Sequence, residues 1–144
     1  MPNHCENKLK VSGKEEEISK FKTFAEGEDP WSGKTEVFCC AKFVKPSAEA
    51  IEDYDKVGYD WCCRNWGTKW GAYEVGLKSS KTNLWYNFYT AWSSFSDEFL
   101  IKVSARFPGL KIQLSYEEPG IGFDGKVKLE NGTITSNYFH DWAK

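Results

Sequence analysis

Leu9 and Val11 alternate with polar neighbours near the start of the chain and predict a strand over about residues 5–11. A helix is expected next. Ser12-Gly13-Lys14-Glu15 reads as a capping box, and Ile18, Phe21, Phe24 and Ala25 then recur on one helical face until Gly27. Trp31 to Lys34 reads as a turn. Val37, Cys39, Ala41 and Phe43 alternate in the following run and predict a second strand over about residues 37–44, ended by Pro46, which has no backbone N–H to offer a ladder. From Ser47 to Tyr54 the pattern fades to one short helix at most, and an insertion is placed at about residues 45–70. Within it Tyr59, Cys62, Cys63 and Trp66 fall at helical spacing and predict the buried face of a short helix closed by Gly67.

Strands are expected at about residues 72–78 and 83–91, joined across Ser79-Ser80-Lys81-Thr82. The second alternates Leu84, Tyr86 and Phe88 against Trp85, Asn87 and Tyr89, so either set can face the core. Ser94-x-x-Asp97 opens another helix with Phe99, Leu100, Val103 and Phe107 on its face and Pro108-Gly109 as its stop. Ile112, Leu114 and Tyr116 mark one more strand. Strands over about residues 125–130 and 133–139 flank Asn131-Gly132, a strong signal for a tight hairpin. Each of the two main helices follows one strand and precedes another, as in a split β-α-β unit. The expected class is therefore α+β: an antiparallel sheet with two main helices on one face, an inserted helical segment and an extra C-terminal hairpin.

Length and charge narrow the picture. A chain of 144 residues fits one domain, since a core of this size buries roughly 68–70% of the surface its unfolded form exposes. Nineteen Lys and Arg stand against 21 Asp and Glu, so no global charge excess points to a nucleic-acid backbone, although a local basic patch is compatible with this balance. No apolar run approaches the roughly 20 residues of a membrane span, and the N-terminal residues lack the basic end and apolar core of a signal peptide. A cytosolic protein with no membrane partner is expected. The five cysteines, Cys5, Cys39, Cys40, Cys62 and Cys63, form no Cys-x-x-Cys pair and read as reduced thiols. His4, Cys5 and His140 would suit zinc if they met in space, but the spacings of structural zinc sites are absent, and neither a metal nor another cofactor is expected.

The densest chemistry lies between Tyr59 and Trp92. Trp61, Trp66, Trp70, Tyr73, Trp85, Tyr89 and Trp92 crowd this stretch, with Arg64 and Lys69 beside them. Indoles either fill the core of a small sheet protein or present stacking platforms for nucleobases, with cations near enough to meet a phosphate. In Asn65-Trp66-Gly67-Thr68-Lys69-Trp70 an amide, a hydroxyl and a cation accompany two indoles around one glycine. Asn65 and Thr68 either act as directed donors for a ligand or cap the helix end. Arg64, Asn65, Trp66, Thr68, Lys69, Trp70 and Trp92 form the candidate ligand-binding set.

That hexapeptide, with Met1-Pro2-Asn3, Thr90-Ala91-Trp92-Ser93 and Tyr116-Glu117-Glu118 through Gly122-Phe123-Asp124-Gly125, resembles the family of small ferredoxin-like-domain proteins named after the plasmid protein YubB. The resemblance implies a ferredoxin-like fold over the whole chain and carriage on bacterial plasmids and phages, and it assigns no catalytic role. "Ferredoxin-like" here names a fold, and nothing in the sequence supports an iron–sulfur cluster. Many relatives carry tryptophan where this chain has His4, which argues against His4 as a shared site.

Glu117, Glu118 and Asp124 gather carboxylates around a glycine-rich turn, a pattern that serves acid–base or metal chemistry or simply makes a solvated acidic edge. Neighbours on a strand diverge, which weakens the pairing of Glu117 with Glu118. No phosphate loop, nucleophile elbow, dinucleotide fingerprint or His-Glu-x-x-His motif is present. The expected function is a non-catalytic binding protein of a mobile element, with counter-defence by binding a nucleotide-like ligand or a protein. Single-stranded nucleic-acid binding through the sheet is the alternative, and a carboxylate-dependent enzyme ranks below both.

Overall fold

The computed structural model describes residues 3–144, so Met1 and Pro2, part of the sequence resemblance, lie outside the described residues. In chain order the elements are β1 (His4–Ser12), α1 (Glu15–Ala25), β2 (Gly27–Glu28), β3 (Thr35–Glu36), α2 (Cys40–Phe43), α3 (Ala48–Glu52), a π-helical turn (Tyr54–Gly58) and α4 (Tyr59–Asn65). Then come β4 (Tyr73–Ser79), β5 (Asn83–Ala91), α5 (Asp97–Arg106), β6 (Lys111–Glu118), β7 (Phe123–Glu130) and β8 (Thr133–Asp141). The main sheet has six strands in the order β4-β5-β1-β6-β7-β8, and every pairing is antiparallel. β1, α1, β4, β5, α5 and β6 reproduce the ferredoxin-like split β-α-β order, and β7 and β8 extend one edge.

Alternation decides which face is covered. Cys5, Asn7, Leu9 and Val11 of β1, Leu84, Tyr86 and Phe88 of β5, and Ile112 and Leu114 of β6 are buried. All of these except Cys5 and Asn7 meet Ile18 and Phe21 of α1 and Phe99, Leu100 and Val103 of α5 in one cluster. The opposite sheet face is open and mostly polar, with Trp85 and Tyr89 of β5 as aromatic exceptions. This settles β5: Leu84, Tyr86 and Phe88 face the core, while Trp85 and Asn87 face out. At the Asn131-Gly132 hairpin both residues have positive φ, 52° and 70°, as a tight turn matching strand twist requires.

The strand expected over residues 37–44 is not formed. β3 ends at Glu36, and Cys40–Phe43 is a short helix. On a strand Phe38 and Phe43 would point to opposite faces. A helical turn between them brings both rings into the core, stacked at 5.3 Å and 25°, with Phe38 also parallel to Phe88 at 5.7 Å. The buried face expected for α4 is narrower than its spacing suggested, because Cys62 and Trp66 are buried while Tyr59 and Cys63 are exposed. The capping box at Ser12 is also absent: Lys14 is the N-cap of α1 and makes no side-chain cap. α5 starts later than Ser94 suggested, capped by Ser96, whose hydroxyl accepts from the Phe99 N–H.

Candidate functional site

The stretch from Asn65 to Trp70 leaves α4 and crosses to β4, and its side chains separate according to that path. The Asn65 amide turns back to donate to the Trp61 carbonyl at 2.9 Å. Trp66 is fully buried, its indole N–H donating to the Val44 carbonyl at 3.0 Å and its ring edge-on to Trp31 and Trp61. Gly67 then takes φ 85°, and its N–H donates to the Cys62 carbonyl, closing α4. Thr68 is buried and donates to the Trp70 carbonyl at 2.6 Å. Arg64 projects outward and pairs with Asp60 one turn back.

Two hydrogen bonds tie this stretch to the loop before α5: the Ser96 N–H donates to the Trp66 carbonyl at 3.0 Å, and the Ser93 hydroxyl to the Gly67 carbonyl at 2.9 Å. That loop is fixed in turn by a buried polar network. The Asn7 amide donates to the Thr90 hydroxyl, Thr90 donates to the Ser93 carbonyl, and the Ser94 hydroxyl donates to Asn7 Oδ1. The Asn65 and Thr68 side chains are thus spent on local backbone bonds, while the Trp66 and Gly67 carbonyls and Thr90 help to hold the end of α4, the central strand and the loop before α5 together.

The remaining candidates face solvent in two places. Lys69 lies between Tyr59 and Trp92, its Nζ 5.7 Å and 5.2 Å from their ring centres. With Cys63, Thr68 and Ser93 they line a shallow depression of about 270 Å³. Trp92 has φ 68°, and its buried indole N–H has no hydrogen-bond partner among the described residues. Trp70 turns the other way, into a cleft of about 520 Å³ walled by Trp31, Tyr54, Trp70 and Tyr73 and bordered by Asp29, Glu36 and Glu74, with Lys34 as its cation.

The walls of this larger cleft are fixed. The Trp31 indole N–H donates to the Ala50 carbonyl at 3.1 Å, and the Tyr54 hydroxyl to the Lys69 carbonyl at 2.5 Å. Asp29 accepts the Trp31 and Ser32 N–H groups through one carboxylate oxygen, Oδ1. Tyr73 bonds to His4, and a bulge follows it in β4, where Glu74 adopts φ 52°. A non-glycine residue in that region stores about 1–3 kcal/mol, and bulges of this kind re-aim side chains beside sites. Burial raises the Glu36 carboxyl above its ordinary value against the opposing hydrogen bond with the Val75 backbone. Sequence reasoning missed Asp29, Trp31, Glu36 and Tyr54. The first three lie on or beside a hairpin of two-residue strands, too short to leave a periodic signal.

The other constellations do not converge. His4 is on β1 and His140 on β8, three strands away, where His140 lies 3.5 Å from Asp124. Glu118 is buried and accepts the Gly120 and Ile121 N–H groups, whereas Glu117 faces out opposite Asp124. Asp124 accepts the Trp142 indole N–H at 2.7 Å. Burial pushes the Cys5 and Cys62 thiols up to about 12, which keeps them protonated and unreactive at neutral pH. Among the described residues no helix is long and apolar enough to cross a membrane.

No curated protein matches the sequence. The crystal structure of the protein Api92 from Yersinia pseudotuberculosis is similar over 97% of this chain and 98% of that one, with a TM-score of 0.71. At 10% identity the likeness is one of fold alone. Residues 65–144, from the end of α4 through β8, match the family described as "Ferredoxin-like domain in Api92-like protein", and with more than half of its length matched the chain belongs to that family.

Proposed function

We propose that this protein is a non-catalytic binding protein of a bacterial phage or plasmid, acting in the cytosol by holding a nucleotide-like ligand in the cleft between Trp31, Tyr54, Trp70 and Tyr73. The observation that carries the reading is the composition of that cleft, with aromatic walls pinned by hydrogen bonds and a carboxylate border. Its volume of about 520 Å³ lies within the range of small-ligand pockets. Indole and phenol faces stack on a planar ring, and Asp29, Glu36 and Glu74 offer acceptors to exocyclic amino and ring N–H groups. Three carboxylates against one lysine disfavour a polyphosphate inside the cleft. The recognised part is therefore the base. The same donors on an arginine or lysine side chain would let a protein partner use this cleft. The resemblance to plasmid- and phage-carried proteins supports the mobile-element setting, and counter-defence follows from that setting by analogy.

Native mass spectrometry of the protein with adenosine, guanosine, cytidine, uridine and the corresponding triphosphates tests the reading. The amino-bearing nucleosides should be retained in preference to uridine and to every triphosphate, and Trp70→Ala should release them. Retention of none of the nucleosides, or retention unchanged in the variant, would sink it.

A further inference from the structure

The open face of the sheet carries an ordered charge pattern that the net charge conceals. Cross-strand partners share a face, so the register gives its rows directly. One row runs Lys78, Trp85, Lys10, Gln113, Lys128 and Ser136 from β4 to β8. The next runs Gly76, Asn87, Lys8, Ser115, Lys126 and Tyr138. These two adjacent rows hold five exposed lysines and no carboxylate. Among the described residues none of the five forms an ion pair. The carboxylates of this face lie to either side, with Glu6, Glu117 and Asp124 in the following row and Glu130 beyond the other border.

Among the described residues, the two larger grooves that flank β1 on this face follow the lysines. One, of about 410 Å³, has Trp85 among Lys8, Lys10 and Lys78, and the other, of about 370 Å³, lies between Lys10, Lys111 and Lys128, with Glu130 at its border. A smaller one, of about 180 Å³, joins Lys8 to the carboxylates Glu6 and Glu117. Trp85 and Tyr138 are 38% and 54% exposed at opposite ends of the stripe, and no cation covers either ring among the described residues. Lys78, Lys10 and Lys128 lie on alternate strands, so their backbones are roughly 10 Å apart.

We infer that this face binds single-stranded nucleic acid across the strands, with Lys8, Lys10, Lys78, Lys126 and Lys128 meeting phosphates and Trp85 and Tyr138 stacking on unpaired bases. Charge complementarity selects a polyanion, and free aromatic faces among the cations select one with exposed rings. A membrane surface would need a contiguous apolar face to insert, and the two rows offer only Trp85 and Tyr138, on separate strands among lysines and polar residues. Paired bases would leave the Trp85 and Tyr138 faces unused. The site is separate from the cleft of the proposed function.

Fluorescence-polarisation titrations of the full chain with labelled single-stranded DNA and RNA oligonucleotides at low salt test this inference, with a duplex and polyglutamate as competitors. Binding is expected to weaken with salt with a log–log slope of about −2 to −3.5, for roughly three to five phosphates on single strands. Trp85→Ala should weaken it about 5- to 150-fold, the range for one stacked base. The pair Lys10→Glu and Lys128→Glu should abolish it, with Lys10→Gln and Lys128→Gln as the milder pair if charge reversal impairs folding. Lys20→Ala, on α1 and away from this face, should have no effect. Three results would each overturn the inference: no binding to either oligonucleotide, polyglutamate or duplex competing as well as the single strands, or affinity indifferent to both Trp85 and the lysines. Loss of nucleoside retention in Trp70→Ala alongside intact oligonucleotide binding would show that the two sites are independent.

Discussion

Trp66 is sealed between α4 and the core while Trp70, past the bend at Gly67, forms a wall of the acidic cleft. Replacing Trp66 by alanine removes a fully buried indole and its hydrogen bond to Val44, a change expected to cost about 3–5 kcal/mol. Trp70→Ala removes a half-buried ring and should cost about 1 kcal/mol. Urea unfolding midpoints of the two variants check the contrast, and equal losses would mean that Trp70 belongs to the core rather than to a site. The sequence displays both indoles but not this division. Helical spacing orients residues only as far as the helix runs, and beyond Gly67 the chain turns with no period to read. Trp92 illustrates the same limit, since its left-handed backbone lies in the loop that Asn7, Thr90 and Ser94 hold in place, and its indole N–H has no partner among the described residues.

Between elements, the junction at Gly67 carries the geometry of both clefts. A Cβ built there would lie 2.4 Å from the Ser96 backbone nitrogen, and φ is 85°. Gly67→Ala is therefore expected to cost about 1–3 kcal/mol from backbone strain alone, with more if the α5 N-cap is displaced. Thermal unfolding followed by circular dichroism reads the loss, and a variant as stable as the parent would show that the two segments can separate without penalty. Where an element has a period and ordinary end signals it is legible: β5 occupies the expected residues 83–91, and α5 and the hairpin around Asn131 follow from alternation and turn chemistry. The run from Val37 to Phe43 misleads because its alternation is shared by a structure in which Phe38, Cys39 and Cys40 are all buried in succession. Only the demand that Phe38 and Phe43 enter the same core makes a helical turn necessary, and that demand comes from Phe88 and Phe95, distant in sequence.

At the scale of the molecule, the first strand is the centre of the sheet. β1 pairs with β5 through nine residues from His4 to Ser12 and with β6 through seven from Glu6 to Ser12, so two halves distant in sequence are joined by the N-terminal segment. The family match begins at residue 65 and leaves out both β1 and α1. A fragment of residues 65–144 keeps β4–β5 and the β6–β7–β8 meander but loses the strand between them. β5 and β6 would each expose a row of backbone hydrogen-bonding groups, and Leu84, Tyr86, Phe88, Ile112 and Leu114 would lose the cover of Leu9, Val11 and Phe21. Burial lost on that scale is comparable with the whole of a domain's usual stability of about 5–15 kcal/mol, since each fully buried side chain of this type contributes about 1.5–3 kcal/mol. The fragment alone is expected to show a collapsed amide spectrum in two-dimensional NMR and no cooperative thermal transition, whereas the full chain should show dispersed resonances and one transition. A well-dispersed spectrum from the fragment would mean that β5 and β6 can close on each other without β1. The lysine stripe would then be broken as well, because Lys8 and Lys10 provide its middle between Trp85 and Lys128. Folding and the charge pattern of the open face therefore depend on the same strand.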